Sequence, residues 1–191
     1  MSKFKTSLLT LVSAMAVFGA SSASAASYEI WNGSAWVNSG TSHFTGPTTA
    51  VYSGIQAPCN ADFTVVLSGG AASVTAASFS GSSTCAGITA SNLPWPLSAP
   101  SAYSGPNPVF SGSPTLTPAL WSVTISGVRI NIPAPLNANC PSASGSGSVP
   151  GVLDANSYFV FKATLGPCSV QTRTNQAPNA LVASPAVRVV P

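Results

Sequence analysis

The side chains that could act as acids or bases are few. The 191 residues supply one histidine, His43, and three carboxylates: Glu29, Asp62 and Asp154. His43 with Asp62 or Asp154 could serve a Ser-His-Asp triad, but no G-x-S-x-G segment provides the usual nucleophile. His43 lies in GTSHFTGP, a loop or a strand edge, where a structural role is the expected one.

Glycoside hydrolysis and non-haem iron chemistry are also not expected, because the chain has too few carboxylates and histidines. Glycoside hydrolysis needs two carboxylates, yet Asp154 in VLDANSY looks like a turn residue and Asp62 like the start of a strand. A non-haem iron site needs two histidines and a carboxylate, and the chain has one histidine. The sequence therefore predicts no catalytic site, no metal site and no cofactor, and a protein that is not an enzyme.

Four cysteines remain, and they predict cross-links rather than chemistry. Four thiols allow three pairings. We favour Cys59–Cys85 and Cys140–Cys168, because the two loops have similar spans and both enclose strand-like sequence. A four-thiolate zinc site is the alternative, but the chain lacks any C-x-x-C pair.

The first 25 residues have the features of a secretory signal peptide. A basic start containing Lys3 and Lys5 precedes an apolar run, and Ala23-Ser24-Ala25 supplies a small-residue cleavage site. The apolar run is too short for a membrane span, which needs about 20 residues. We expect a secreted protein, extracellular or at the cell surface, with the periplasm as an alternative, and no membrane span.

The segment after the signal peptide is almost uncharged. Its charged residues are four cations and three anions: Arg129, Lys162, Arg173, Arg188, Glu29, Asp62 and Asp154. Nucleic acid and acidic lipid bind clustered Lys and Arg, so neither is an expected partner. A weakly charged surface also favours self-association.

Short strands have to position these residues. Phe63, Val65 and Leu67 alternate with more polar residues, Gly69-Gly70 marks a turn, and Val74–Phe79 forms a second strand, so that Cys59 and Cys85 would close a hairpin. Asn32-Gly33, between residues 28–31 and 34–37, predicts a second, tight hairpin.

WSVTISGVRINIP, beginning at Trp121, is the clearest strand. Its apolar residues change from odd to even positions at Ser126-Gly127, which predicts a β-bulge. The connection 91–120 carries seven prolines and predicts neither helix nor interior strand. Residues 141–151 suggest a loop, and residues 157–165 and 181–190 suggest strands.

Many short strands with Gly and Pro turns indicate a sandwich or a barrel. We predict an all-β fold, an antiparallel β-sandwich (Ig-like or jelly-roll-like) with two disulfides. Residues 26–191 are expected to form a single domain, since two halves of about 70 residues would each bury too little surface.

The aromatic residues could form a ligand face. We expect Trp36 and Trp121 to belong to the core of a sandwich. Trp95 lies between prolines in NLPWPLSAP, and is the candidate ligand or surface contact; a ring tucked over the end of a sheet is the alternative.

A Cys-bounded hairpin, then ITASNLPWPL, then VTISGVRINIPAPLNANC, resembles the small exported activators of alkane oxidation of the Pra type. The likeness covers residues 57–170. It implies an extracellular or surface factor that promotes growth on hydrocarbons without being the oxygenase, and it carries no functional residues onto this chain.

Two hypotheses follow. The first is a secreted accessory protein that promotes alkane use at the cell surface or the oil–water interface, with hydrocarbon or cell-surface components as partners. The second is a structural or adhesive matrix protein that self-associates through exposed strand edges such as FTVVLS, SYFVFK and VRVV. A lectin-like module using Trp95 is a weaker third.

Overall fold

The computed structural model describes residues 25–191, so the predicted signal peptide, apart from Ala25, lies outside the described residues. The first half of the described chain forms strands β1–β8 and one short helix, α1. Their bounds are β1 Ser27–Trp31, β2 Trp36–Val37, β3 Gly40–Tyr52, β4 Ile55–Ser68, β5 Ala71–Ser80, α1 Ser83–Ala86, β6 Thr89–Ser91, β7 Trp95–Pro96 and β8 Ser101–Ala102.

The second half is also made of strands. Their bounds are β9 Trp121–Ile132, β10 Ala138–Cys140, β11 Gly147–Leu153, β12 Tyr158–Leu165, β13 Cys168–Thr172, β14 Leu181–Ser184 and β15 Val187–Val190. All strand pairs are antiparallel, and the cysteines join as Cys59–Cys85 and Cys140–Cys168. The predicted antiparallel all-β fold with two disulfides is confirmed.

One twelve-stranded sheet forms most of the molecule, and it rolls up until its edges meet. Its main path is β10-β9-β11-β12-β13-β3-β4-β5-β7, with β14, β6 and β8 attached at the side. Leu97, next to β7, bridges to Ile125 of β9, so the last strand returns to the beginning of the path. The two layers expected of a sandwich are therefore opposite walls of one rolled sheet.

The disulfide-bounded hairpin is present as predicted. β4 pairs with β5 through a turn at Gly69-Gly70, where φ is +59° and +83°. Positive φ is easily reached by glycine, which explains the choice of two glycines here. A register shift at Thr64/Val65 keeps the apolar residues of both strands facing inward.

The bulge predicted in β9 is also present. Gly147 and Val149 of β11 pair with Val128 and Ile125, so β9 holds one residue more than its partner between these pairs. Gly127 has φ +75°, a conformation that glycine adopts at little cost. All the expected core positions from residue 123 to residue 132 are buried: Val123, Ile125, Val128, Ile130 and Ile132.

The sequence does not predict β3, which forms the longest hairpin of the fold with β4, because Gly46-Pro47 interrupts its strand-like pattern. Proline is normally excluded from central strands, since it has no N–H to donate. Here β14 pairs with Thr45 and earlier residues of β3, and β13 with Thr48 and later ones. Pro47 therefore lies where one partner strand gives way to the next, and its carbonyl still accepts a hydrogen bond from Arg173 N.

The expectation that residues 91–120 avoid the sheet interior is wrong for their first part. β6, Leu97 and β8 run antiparallel along the free edge of β9, and β7 pairs with β5. Three very short pairings provide hydrogen bonds to the edge of β9. Because no continuous ladder is needed, the prolines, which have no N–H to donate, can lie between the pairings. The later part packs Leu116 against Val152 and Val160 in a second, smaller apolar cluster.

Three further boundaries differ from expectation. The loop predicted over 141–151 is shorter, because β11 begins at Gly147. Residues 181–190 form two strands, β14 and β15, separated at Pro185. The hairpin of β1 and β2 exists, but its turn has four residues, in which Asn32 Oδ1 accepts hydrogen bonds from Ser34 N and Ala35 N.

The strand edges proposed for self-association are mostly covered. The segment FTVVLS belongs to β4, which pairs with β3 and β5, and SYFVFK lies largely in β12, which pairs with β11, β13 and β14. Only VRVV, which is β15, lies at a sheet edge, in a three-stranded sheet of order β15-β1-β2. Ser157 Oγ already bonds the backbone N–H and C=O of Val187 there.

Candidate functional site

An apolar cavity of about 60 Å³ lies inside the rolled sheet. Its wall takes side chains from β3, β4, β5, β7, β9, β11, β12 and β13, so every main wall of the fold contributes. The lining is almost entirely hydrocarbon and aromatic carbon. An interior space of this kind tends to stay dry and to accept apolar guests.

Small side chains on adjacent strands create the space. Ala50 of β3 and Ala57 of β4 are cross-strand partners, both buried, and both line the cavity. Directly opposed residues on one sheet face normally fill the volume between them. The two alanine methyl groups are too small to fill the space between them and Phe161 and Leu165 of β12, which also line the cavity.

Two phenylalanines separate the cavity from solvent. Of the residues that line it, only Phe63 and Phe79 are partly exposed, and the others are buried. Their rings meet edge to face, with centroids 5.9 Å apart. β7 pairs with β5 only at Ser73 and Val74, so the half of β5 that carries Phe79 has no strand partner on that side. We call this partly exposed aromatic pair the aromatic gate.

Trp95 does not lie at the surface. Its side chain is 2% exposed, it lines the cavity, and its indole Nε1 donates a hydrogen bond to the carbonyl oxygen of Ser91 at 2.9 Å. The flanking prolines hold it in β7, opposite Val74, rather than in an exposed loop. A surface contact by Trp95 is therefore wrong, and contact with a ligand stays a prediction that would have to be met inside the cavity.

A second apolar cavity of about 30 Å³ lies further along the interior. Phe63, Val74 and Ile125 line both spaces, so they are neighbours that share one wall. Tyr28 lines the smaller one and donates its phenol hydrogen to Ser98 O at 2.9 Å. Burial raises the pKa of the Tyr28 phenol well above its ordinary value, because an ionised oxygen would lose its hydration there.

The titratable residues lie elsewhere and do not form a site with the cavity. His43 Nδ1 is 2.9 Å from Asp62 Oδ1 on an exposed sheet face. Ser184 is the register partner of His43, yet within residues 25–191 no hydroxyl or thiol hydrogen-bonds to His43. Asp154 is buried, and its carboxylate accepts hydrogen bonds from the backbone N–H groups of Thr117, Asn156 and Tyr158, which makes it the turn residue expected.

Within residues 25–191, no group of three His, Cys, Asp or Glu side chains is placed to hold a metal ion. No helix among residues 25–191 is long and apolar enough to cross a membrane.

Comparison with protein families identifies the chain. The whole chain, residues 1–191, matches the family described as alkane oxidation protein activator PraA/PraB-like. The chain belongs to this family. No curated protein and no solved structure matches it significantly.

In this PraA/PraB-like chain, sequence reasoning did not predict the aromatic gate or the two alanines, Ala50 and Ala57, that line the cavity behind it. Phe63 and Phe79 fall in predicted strands, but their spacing does not distinguish a ring in the core from one at an opening. Trp36, expected in the core, is half-buried on the outer face of the small sheet, and Trp121 is half-buried at the start of β9. Ala50 and Ala57 indicate a cavity only once the strand register is known to place them opposite each other.

Proposed function

We propose that this chain is a secreted, non-enzymatic accessory protein of alkane utilisation that works at the cell surface or the oil–water interface by holding the end of an alkyl chain in its interior. Membership of the alkane oxidation activator family is the reason for proposing a hydrocarbon as the ligand. The observation that carries the rest is the apolar cavity behind the aromatic gate of Phe63 and Phe79.

The size of the cavity favours an interfacial mode of action. A water takes up about 30 Å³ in the liquid, so 60 Å³ corresponds to roughly two waters. That is room for a few carbon atoms, and a long alkane could enter only by one end. The rest of its chain would stay in the oil, and the protein would be held at the oil surface.

The sparse charges support the same mode. Approach to an oil phase costs the hydration of every charged group that is not paired. In the described chain Glu29 is paired with Arg188, and Asp154 is buried and fully bonded by backbone N–H groups. Exposed hydroxyl and alanine side chains cost much less to bring beside an apolar phase.

The arrangement of the titratable side chains in residues 25–191 supports an accessory role. The His43–Asp62 pair lies on an open sheet face, away from the cavity, and the cavity presents no acid, base or thiolate to a guest. A hydrocarbon held there would meet apolar and aromatic side chains, two threonines and the disulfide-bonded Cys59.

The decisive experiment uses the mature protein, residues 26–191, with hexadecane. We expect it to lower the interfacial tension and to help disperse the oil, and we expect deletion of its gene to slow growth on hexadecane but not on a soluble carbon source. An unchanged interfacial tension would reject the interfacial mode. Normal growth of the deletion strain on hexadecane would reject the role itself.

The matrix hypothesis remains the second candidate, supported by the edge position of β15. Its strand is only four residues long and its first residue is already bonded to Ser157. Size-exclusion chromatography and electron microscopy would reveal large assemblies or filaments if it were correct. A monomer over a wide concentration range would reject it.

A further inference from the structure

An aromatic surface is built on the outer side of the small sheet, separate from the cavity. Trp31 and Trp36 are cross-strand partners in the β1–β2 hairpin, and their ring centroids are 5.6 Å apart with planes inclined at 60°. Trp31 is one of only two large apolar side chains exposed in the described chain, at 37%. We call Trp31, Trp36, Arg188 and Glu29 together the tryptophan face.

The core does not need these rings. Along β1 the side chains of Tyr28 and Ile30 point inward and are 2% and 3% exposed, and the alternate residues Glu29 and Trp31 point outward. Any small polar residue would satisfy the outward position of a strand. The two rings stabilise the hairpin through their cross-strand contact, and the exposed part of Trp31 is also available to a ligand.

Arg188 gives the tryptophan face its polar part. Its guanidinium carbon lies 4.5 Å from the centre of the Trp36 ring, and its Nε donates to Glu29 Oε2 at 2.8 Å while Nη2 donates to the same oxygen. Both bonds use one carboxylate oxygen. Within residues 25–191, Arg188 Nη1 and Glu29 Oε1 have no hydrogen-bond partner, so one donor and one acceptor are held beside the rings.

We propose that the tryptophan face binds a neutral carbohydrate. A pyranose ring has one face of C–H groups, whose positive edges suit the negative face of an indole, and a rim of hydroxyls that both donate and accept. Those two features correspond to the paired rings and to the free atoms of Arg188 and Glu29. Because the charges of Arg188 and Glu29 cancel, the face offers no attraction to a polyanion and no repulsion to an uncharged polymer.

Other occupants fit less well. A hydrocarbon would have to displace water from a partly exposed ion pair and return no hydrogen bond for it. Nucleic acid and acidic lipid need several uncompensated cations. Arg188 is the only cation on the tryptophan face, and it is neutralised by Glu29.

The tryptophan face and the aromatic gate are made of different residues. Tyr28 N bonds to Gly70 O, so the tryptophan face sits near the β4–β5 turn. Phe63 and Phe79 lie further along the β4–β5 hairpin, where Phe79 pairs with Ala61. If the proposed function holds, one molecule can bind a carbohydrate at one site and an alkyl chain at the other.

The test measures binding of the mature protein to insoluble cellulose, chitin and β-1,3-glucan, and titrates tryptophan fluorescence with soluble oligosaccharides of each. We expect retention on at least one of these neutral polymers and none on polygalacturonate. Trp31→Ala and Trp36→Ala should each weaken binding about two- to tenfold, the range expected for the loss of one aromatic ring. Trp31→Phe should keep most of it.

Two controls separate this site from the fold and from the hydrocarbon site. Ile55→Ala removes the other exposed large apolar side chain, at the β3–β4 turn, and should leave carbohydrate binding unchanged. Hexadecane dispersion by Trp31→Ala should equal that of the unaltered protein, so a failure of either proposal can be told from a failure of the other.

Several results would overturn the carbohydrate site. One is no retention on any neutral polymer, and another is retention that Trp31→Ala and Trp36→Ala leave intact. A third is that these variants lose binding to phosphatidylcholine vesicles instead, and a fourth is that they lose a protein dimer instead. The last two would assign the tryptophan face to lipid or to a second copy of the chain.

Discussion

Filling the cavity should separate stability from hydrocarbon binding, and Ala57→Val is the substitution that does so. Ala57 is 4% exposed, lines the cavity and lies in a strand, where valine is favoured. Valine adds two carbon atoms to the empty space. At about 0.8 kcal/mol for each buried carbon, the gain in the free energy of unfolding is at most about 1.6 kcal/mol.

Ala61→Val is the matched control. Ala61 lies four residues along the same strand, is 3% exposed, and lines neither cavity. The same two carbons have no space there, so we expect a loss of about 1–3 kcal/mol through overpacking.

Thermal unfolding followed by circular dichroism measures both changes. For a chain of this size 1 kcal/mol moves Tm by about 2–4 °C, so Ala57→Val should raise Tm by up to about 3–6 °C while Ala61→Val lowers it. The Ala57→Val protein should also disperse less hexadecane despite its greater stability. Shifts of the same sign in both variants would show that the space beside Ala57 is not available, and the reasoning would fail.

Three further predictions concern the fold. Replacing both cysteines of either bridge by serine should cost about 3.5 kcal/mol in urea unfolding by the loop-closure estimate, because the loops span 26 and 28 residues; equal stability of the reduced and oxidised protein would contradict this. Stability should fall as pH rises above about 10, because the Tyr28 phenol ionises there in the unfolded chain while burial raises its pKa in the folded one, and Tyr28→Phe should flatten that alkaline loss. Gly46→Ala should cost about 1–3 kcal/mol, since its Cβ would meet the backbone carbonyl of Ala180, whereas Gly145→Ala should cost less, because its Cβ would meet the end of the exposed Ser142 side chain rather than backbone.

Local patterns predicted the parts of the fold that local physics decides. The change of parity at Ser126-Gly127 and the glycine pair at the β4–β5 turn each require one particular backbone geometry, and both were confirmed. Similar loop spans around strand-like sequence were enough to pair the cysteines.

The parts that failed depend on partners distant in the sequence. Pro47 is compatible with a central strand only because β14 ends and β13 begins beside it, and no pattern within GTSHFTGPTTAVY shows this. Trp95 is buried because residues 89–102 close the sheet against β9. The cavity follows from the register that sets Ala50 opposite Ala57, which becomes visible only in three dimensions.

The pairing of the first strand with the last has a mechanical consequence. Ser27 at the start of β1 lies opposite Val190 at the end of β15, so the two ends of the described chain leave the fold side by side. A pulling force applied to those ends would load the hydrogen bonds one after another, as in opening a zipper, rather than all at once. We expect the small sheet to peel away under little tension, while the two covalent bridges leave only part of the remaining chain free to extend.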